Sequence, residues 1–169
     1  MPYRGGAEVI ADILGARLDF YFCPLATALP LIREGARPRA RGLDANGNLI
    51  AFLVGGPTPG QFSVRRTGNF DVSDAVLLAS GELLILERKF SWVTGLDIRI
   101  RRIALGSVAP GAVIDGPSIF EADLGQEIDN MEGIDAHVTP DGKTVLTMVS
   151  DDNFSPIQRN LILQFTLAE

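Results

Sequence analysis

The sequence predicts a mainly β chain built from antiparallel hairpins, with a short α/β extension in front. Three observations carry this. Glycines at positions 47, 81 and 142 each sit in a turn flanked by apolar runs. Residues 62–65 and 98–105 alternate apolar with polar or basic residues, the two-residue period of a strand with one wet face. Helical spacing is confined to the first forty or so residues.

In chain order, residues 1–6 are a loop. Residues 7–15 read as a helix: Val9, Ile10, Ile13 and Leu14 share a face opposite Glu8 and Asp12, and Gly15 is a helix stop. Residues 18–23 are a short aromatic-rich strand. A second helix runs from Pro24 through Ile32 or Gly35, kinked or shortened by Pro30. The pattern changes at the Arg/Pro-rich stretch 37–42, which sets a boundary between a segment 1–41 and a segment 42–169. Asn46-Gly47 is a strong two-residue hairpin signal. Strands follow at 49–54 and 62–65, with a Gly/Pro loop at 55–60 between them. Residues 74–79 and 82–87 form a second hairpin about Ser80-Gly81. Residues 98–105 are a strand, 106–116 a Gly/Pro loop, 119–122 a further strand, and 160–167 the last.

Composition bounds the function. The 169 residues suit one domain, or one domain with a stub. A net charge of −6 argues against nucleic acid, whose binding needs basic surface to displace counterions. The longest uncharged run is too short for a membrane-crossing helix, and no leader pattern opens the chain. Cys23 is the only cysteine, so no internal disulfide forms. His137 is the only histidine and alternates with Ile134, Ala136 and Val138, which points it to the wetter face in a structural role. One histidine makes no histidine-based metal site, and no Gly-x-Ser-x-Gly elbow or Gly-rich phosphate loop is present.

The informative stretch is 128–165. Apolar runs at 134–138 and 145–149 flank Thr139-Pro140-Asp141-Gly142-Lys143. Proline pre-sets φ and glycine accepts a positive φ, so the two runs read as a hairpin. Its open ends carry Asp129, Asn130 and Glu132 on one side and Asp151, Asp152 and Asn153 on the other. Like charges gathered so closely repel by about 1 kcal/mol per pair in water. A cation, an Arg or Lys, or a proton is expected to compensate.

The motifs Asp129-Asn130-Met131-Glu132-Gly133 and residues 150–165 (SDDNFSPIQRNLILQF) resemble the C-terminal signature of the phytase-like family described as "esterase-like activity of phytase". Residues 70–74 (FDVSD) and 83–90 (LLILERKF) are similar to the same family. The resemblance runs from about 42 to 167. It implies a β-propeller, of which residues 43–169 would supply two to three blades. A closed ring takes about 4–8, so a partial, truncated propeller is expected. It also implies an exported or periplasmic protein, although no leader is visible. Residues 1–41 (PYRGG and the segment after it) resemble part of the tripartite tricarboxylate transporter substrate-binding receptors. The chain then reads as a fusion.

If the second and third hairpins lie in neighbouring blades, Asp74, Glu87, Arg88, Glu132, Asp151 and Asp152 face one rim. Glu132, Asp151, Asp152 and Glu87 are the candidate ligands of Ca²⁺, which takes oxygen donors. Glu132, Asp151 and Arg88 are the candidate catalytic residues: a carboxylate as general base, Arg88 as a clamp for phosphate or carboxylate. The same acids could instead serve structure, as Glu87 would by pairing with Arg101 or Arg159. Phe90 and Trp92 are expected to pack between blades. What the resemblance implies is a hydrolase acting on a small phosphate or carboxylic ester. Two other classes stay open. One is a non-catalytic fragment that binds a partner, or itself, through open sheet edges. The other is a solute-binding remnant of the receptor-like start.

Overall fold

A computed structural model describes residues 42–53, 58–93 and 95–168. The helices and strand expected before residue 42 lie outside the described residues. What is described is mainly β: ten strands and a single 3-10 turn. No helix among the described residues is long and apolar enough to cross a membrane.

The chain divides into two compact units. The described part of the first comprises residues 42–53, 58–66 and 106–114. Strands β1 (Leu49–Leu53) and β2 (Gly60–Val64) pair antiparallel, and β6 (Val113–Ile114) runs parallel to β2. β6 falls inside the stretch expected to be loop. The turn before β1 is fixed by Asp44, whose carboxylate accepts from the backbone N–H groups of Asn46 and Asn48 at 2.8 and 2.9 Å. Ser63 Oγ donates to it at 2.8 Å. Burial pushes the Asp44 carboxyl up, but these hydrogen bonds outweigh burial and hold it down at about 2.

The second unit comprises 67–105 and 115–168. It holds two antiparallel sheets. The larger is a four-stranded meander of β3 (Asp71–Leu77), β4 (Glu82–Ser91), β5 (Gly95–Ala104) and β7 (Ser118–Asp123), in that order. The smaller is three-stranded, β8 (Met131–Val138), β9 (Thr144–Ser150) and β10 (Ile162–Thr166), with β9 central. The hairpins about Gly81 and Gly142 are both present, and each glycine sits at φ +82°, open to glycine and disfavoured for other L-residues. A hairpin joining β4 to β5 was not expected. It turns at Gly95, φ +81°, and it overturns the expected packing of Trp92, which is 94% exposed at its tip.

Alternation then decides what each strand buries. Register pairs Leu84 with Val76, Leu86 with Ile100, and Ile98 with Ala122. These side chains share one face of the larger sheet. In the smaller sheet Ile134 pairs Met148, and Leu146 pairs Ala136 and Phe165. The two faces meet in one core of Leu78, Leu84, Leu86, Ile98, Ile100, Met131, Ile134, Leu146 and Met148. Phe120 of β7 stacks on Phe165 of β10, with centroids 5.2 Å apart. The opposite face of the larger sheet is also buried, and carries Leu83, Ile85, Glu87, Arg99, Arg101 and Ile103.

Candidate functional site

Arg88 lies two residues beyond Leu86 on β4, on the same face and past the edge of the core. From there its Nη1 donates to Glu132 Oε1 at 3.0 Å and to Asn130 Oδ1. Asn130 Nδ2 donates to the same Glu132 oxygen at 2.6 Å, and Asn153 Nδ2 reaches it at 3.5 Å. Arg88 thus bridges the two sheets, from β4 to the start of β8. It is the compensating cation that the acidic hairpin ends call for. The Arg88 and Glu132 side chains are 38% and 36% exposed, so solvent reaches both.

Local irregularity places Glu132. The β8–β9 ladder pairs Met131 with Ser150 and then Gly133 with Val149, so Glu132 is the extra residue of a β-bulge. The neighbouring strand β3 carries a bulge between Val72 and Asp74. Asp74 Oδ2 there accepts the backbone N–H of Ile134 at 2.9 Å, a second link between the sheets. Burial, together with the charge of Asp135, raises the Asp74 carboxyl above its ordinary range against the pull of the Ile134 and Ala75 N–H groups. Gly133 leaves room for this arrangement. A Cβ there would sit 2.9 Å from Val149 and 3.7 Å from the Asp74 carboxylate.

Two loops frame the pair. Asp129 is buried; its Oδ1 accepts Asn130 N–H at 2.7 Å and its Oδ2 accepts Arg159 N–H at 3.0 Å. Arg159 Nη1 in turn donates to Glu127 at 2.9 Å, and Nη2 to the Ile128 carbonyl at 3.2 Å. The Glu127 contact first, then Asp129, raises the Arg159 pKa further. Within the second loop, Asp151 Oδ1 accepts Asn153 N–H at 3.0 Å, and Asp152 Oδ1 accepts Phe154 N–H at 2.9 Å. Asp152 and Asn160 exchange two bonds, each of 3.0 Å. Asn153 and Phe154 take left-handed φ values of 48° and 57°.

Of the residues expected at the site, two lie together. Arg88 and Glu132 come together, and Asn130 joins them. Asp151 and Asp152 stand at the same open end of the hairpin, but both Asp152 oxygens and one Asp151 oxygen hold the loop 151–160. Glu87 is a correction. It precedes Arg88 on a strand and so points to the opposite face. It is fully buried there, with Oε2 bonded to Arg99 Nε at 2.6 Å and to Arg101 Nε at 2.7 Å, and Oε1 to Arg101 Nη2 at 2.7 Å. Pairing with Arg101, the structural alternative, is what the fold adopts. No group of three or more His, Cys, Asp or Glu among the described residues is placed to hold a metal. The four expected calcium ligands do not form one set. Sequence reasoning missed the roles of Asp129 and Arg159 as a brace between loops, and nothing in their spacing signals it.

A model of the family described as "Phytase-like: Esterase-like activity of phytase" matches residues 25–154, about three quarters of the chain. The match takes in residues 25–41, assigned from sequence to the receptor-like segment, and no comparison supports a transporter receptor there. No curated protein and no solved structure matches.

Proposed function

Because the chain belongs to the phytase-like family described as esterase-like activity of phytase, we propose that it is a hydrolase acting on phosphate or carboxylic esters at the Arg88–Glu132 pair. One observation supports this above the others: a half-exposed guanidinium and carboxylate held in contact at a sheet rim, within the matched segment. Nη1 carries the Arg88 contacts to Asn130 and Glu132. Nε and Nη2 have no partner among the described residues, and a guanidinium offers five donors in a planar fork. They pair an ester's phosphoryl oxygens, or the oxyanion that develops on an attacked carbonyl.

Glu132 uses Oε1 for its three contacts. Its Oε2 takes the proton of an attacking water, whose oxygen bonds to phosphorus or carbonyl carbon. The ester bond breaks and the alcohol leaves with a proton from solvent. The oxygens of Asp151 and Asp152 support the loop that carries Asn153 against Glu132. This reading assigns no step to a metal, since Glu87 lies on the face opposite Glu132. Which ester is cleaved follows from substrate screening.

A second reading rests on the same contacts. Arg88, Asn130, Glu132 and Asn153 satisfy one another, as a clasp between two sheets would, and the chain would then be a non-catalytic binding unit. Turnover of p-nitrophenyl phosphate and p-nitrophenyl acetate separates the two readings. Glu132→Gln keeps an oxygen for Arg88 and removes the base. On the hydrolase reading kcat falls by about 10²-fold or more with little change in melting temperature. No turnover by the wild type, with a lowered melting temperature in Arg88→Ala, selects the clasp.

A further inference from the structure

We infer that the outer edge of β10 is a homodimerisation edge, at which a second copy of this chain adds its own β10 antiparallel across a two-fold axis at Gln164. β10 ends the smaller sheet, and among the described residues no strand pairs with its outer side. The side facing β9 is identified by its bonds: Ser150 N–H donates to the Leu161 carbonyl at 3.0 Å, and Leu167 N–H to the Thr144 carbonyl at 2.8 Å. Odd-numbered residues therefore bond inward. The N–H and C=O groups of Ile162, Gln164 and Thr166 point outward, a template for another strand.

The occupant follows from charge and from pattern. The edge strand of the larger sheet, β7, whose Phe120 stacks on Phe165 of β10, carries Glu121 and Asp123, and two copies pairing along β7 would oppose like charges. No ionisable residue occurs from Asn160 to Ala168. In a chain of net charge −6, β10 is thus an edge that two copies bring together without setting carboxylates against each other. Its pattern is also self-complementary. A two-fold at Gln164 sets Leu163 beside Phe165 and Leu161 beside Leu167. All four are packed against the core, so the apolar floor continues across the join. On the other face, Ile162, 74% exposed, meets Thr166. Gln164 meets its own copy, and the outward groups of 162, 164 and 166 exchange hydrogen bonds in pairs. The symmetry closes, which gives a dimer and no filament.

The test uses the full chain. Light scattering across about 1–100 μM, the range in which weak edge pairing is read, is expected to show monomer passing to dimer. Amide exchange by NMR is expected to show Ile162, Gln164 and Thr166 protected increasingly as concentration rises. Gln164→Pro deletes one outward N–H and leaves the β9 ladder intact. Gln164→Lys sets two cations face to face. Both are expected to stay monomeric with unchanged circular dichroism. A wild type that is monomeric throughout overturns the inference, as does a dimer that survives both substitutions or growth beyond the dimer. Protection of those amides at all concentrations also overturns it, by assigning the edge to a segment of the same chain.

Discussion

Glu87 and Arg88 are neighbours in sequence and opposite in fate. Glu87 is fully buried between Arg99 and Arg101, while Arg88 reaches across to Glu132 on the next sheet. A strand turns successive side chains to opposite faces, so one dipeptide supplies both an internal ion cluster and a rim residue. Asp115 Oδ1 extends the cluster by accepting from Arg101 Nη1 at 2.7 Å, and the Arg99 guanidinium lies 4.2 Å over the Phe70 ring.

The two residues should therefore respond differently to substitution. Glu87→Gln removes the charge that buried Arg99 and Arg101 share, and removing one partner of a buried pair costs about 3–5 kcal/mol. Arg88→Ala breaks a pair in which both side chains are more than a third exposed, worth about 1 kcal/mol or less. Urea unfolding of the two variants checks the contrast. Equal losses would mean that the rim pair is as desolvated as the internal one.

Calcium is expected to have no specific effect on stability. Glu87 is on the wrong face for the rim, Asp152 spends both carboxylate oxygens on Phe154 and Asn160, and Asp151 one of its two on Asn153. A ligand that binds only the folded state raises stability with its concentration. Melting in millimolar Ca²⁺ should then match melting in the same concentration of Mg²⁺. A rise of several degrees peculiar to Ca²⁺ would require the loop 151–160 to rearrange and release its acids.

How much of this was legible follows from which physics is local. The turns about Gly47, Gly81 and Gly142 were readable because turn chemistry is local, and all three glycines sit at φ +82°, although an isolated bridge and no strand precedes Gly47. The Gly95 turn carried the same signal, and Trp92 beside it was misread because exposure of an aromatic at a hairpin tip depends on what lies beyond the strand ends. The pairing of Arg88 with Glu132 was expected only as nearness on a rim. The position of Glu132 depends on a bulge opposite Ser150 and Val149, which nothing in the residue order marks. The error over Glu87 was avoidable, since period two alone separates it from Arg88. The brace of buried Asp129 and exposed Arg159 joins residues thirty apart and had no signal.

Asp74 offers a pH test of the seam between the sheets. Burial raises its carboxyl above the ordinary value of 3.8, with Asp135 adding to the effect. Asp71 is the other acid on its strand, and Arg88 and Lys89 lie on the strand beside it. A carboxyl whose folded pKa exceeds its unfolded one binds the proton more tightly in the folded state. Stability therefore falls as pH rises from 3.8 through the folded pKa, and at pH 7 the ionised group opposes folding. Asp74→Asn keeps an oxygen for the Ile134 N–H and removes the charge. The variant should be at least as stable as the wild type at pH 7, and its advantage should shrink as pH falls towards 4. Urea unfolding at a series of pH values reads this directly. A variant clearly weaker at pH 7, by an amount that does not change with pH, would show that the seam depends on the Asp74 charge.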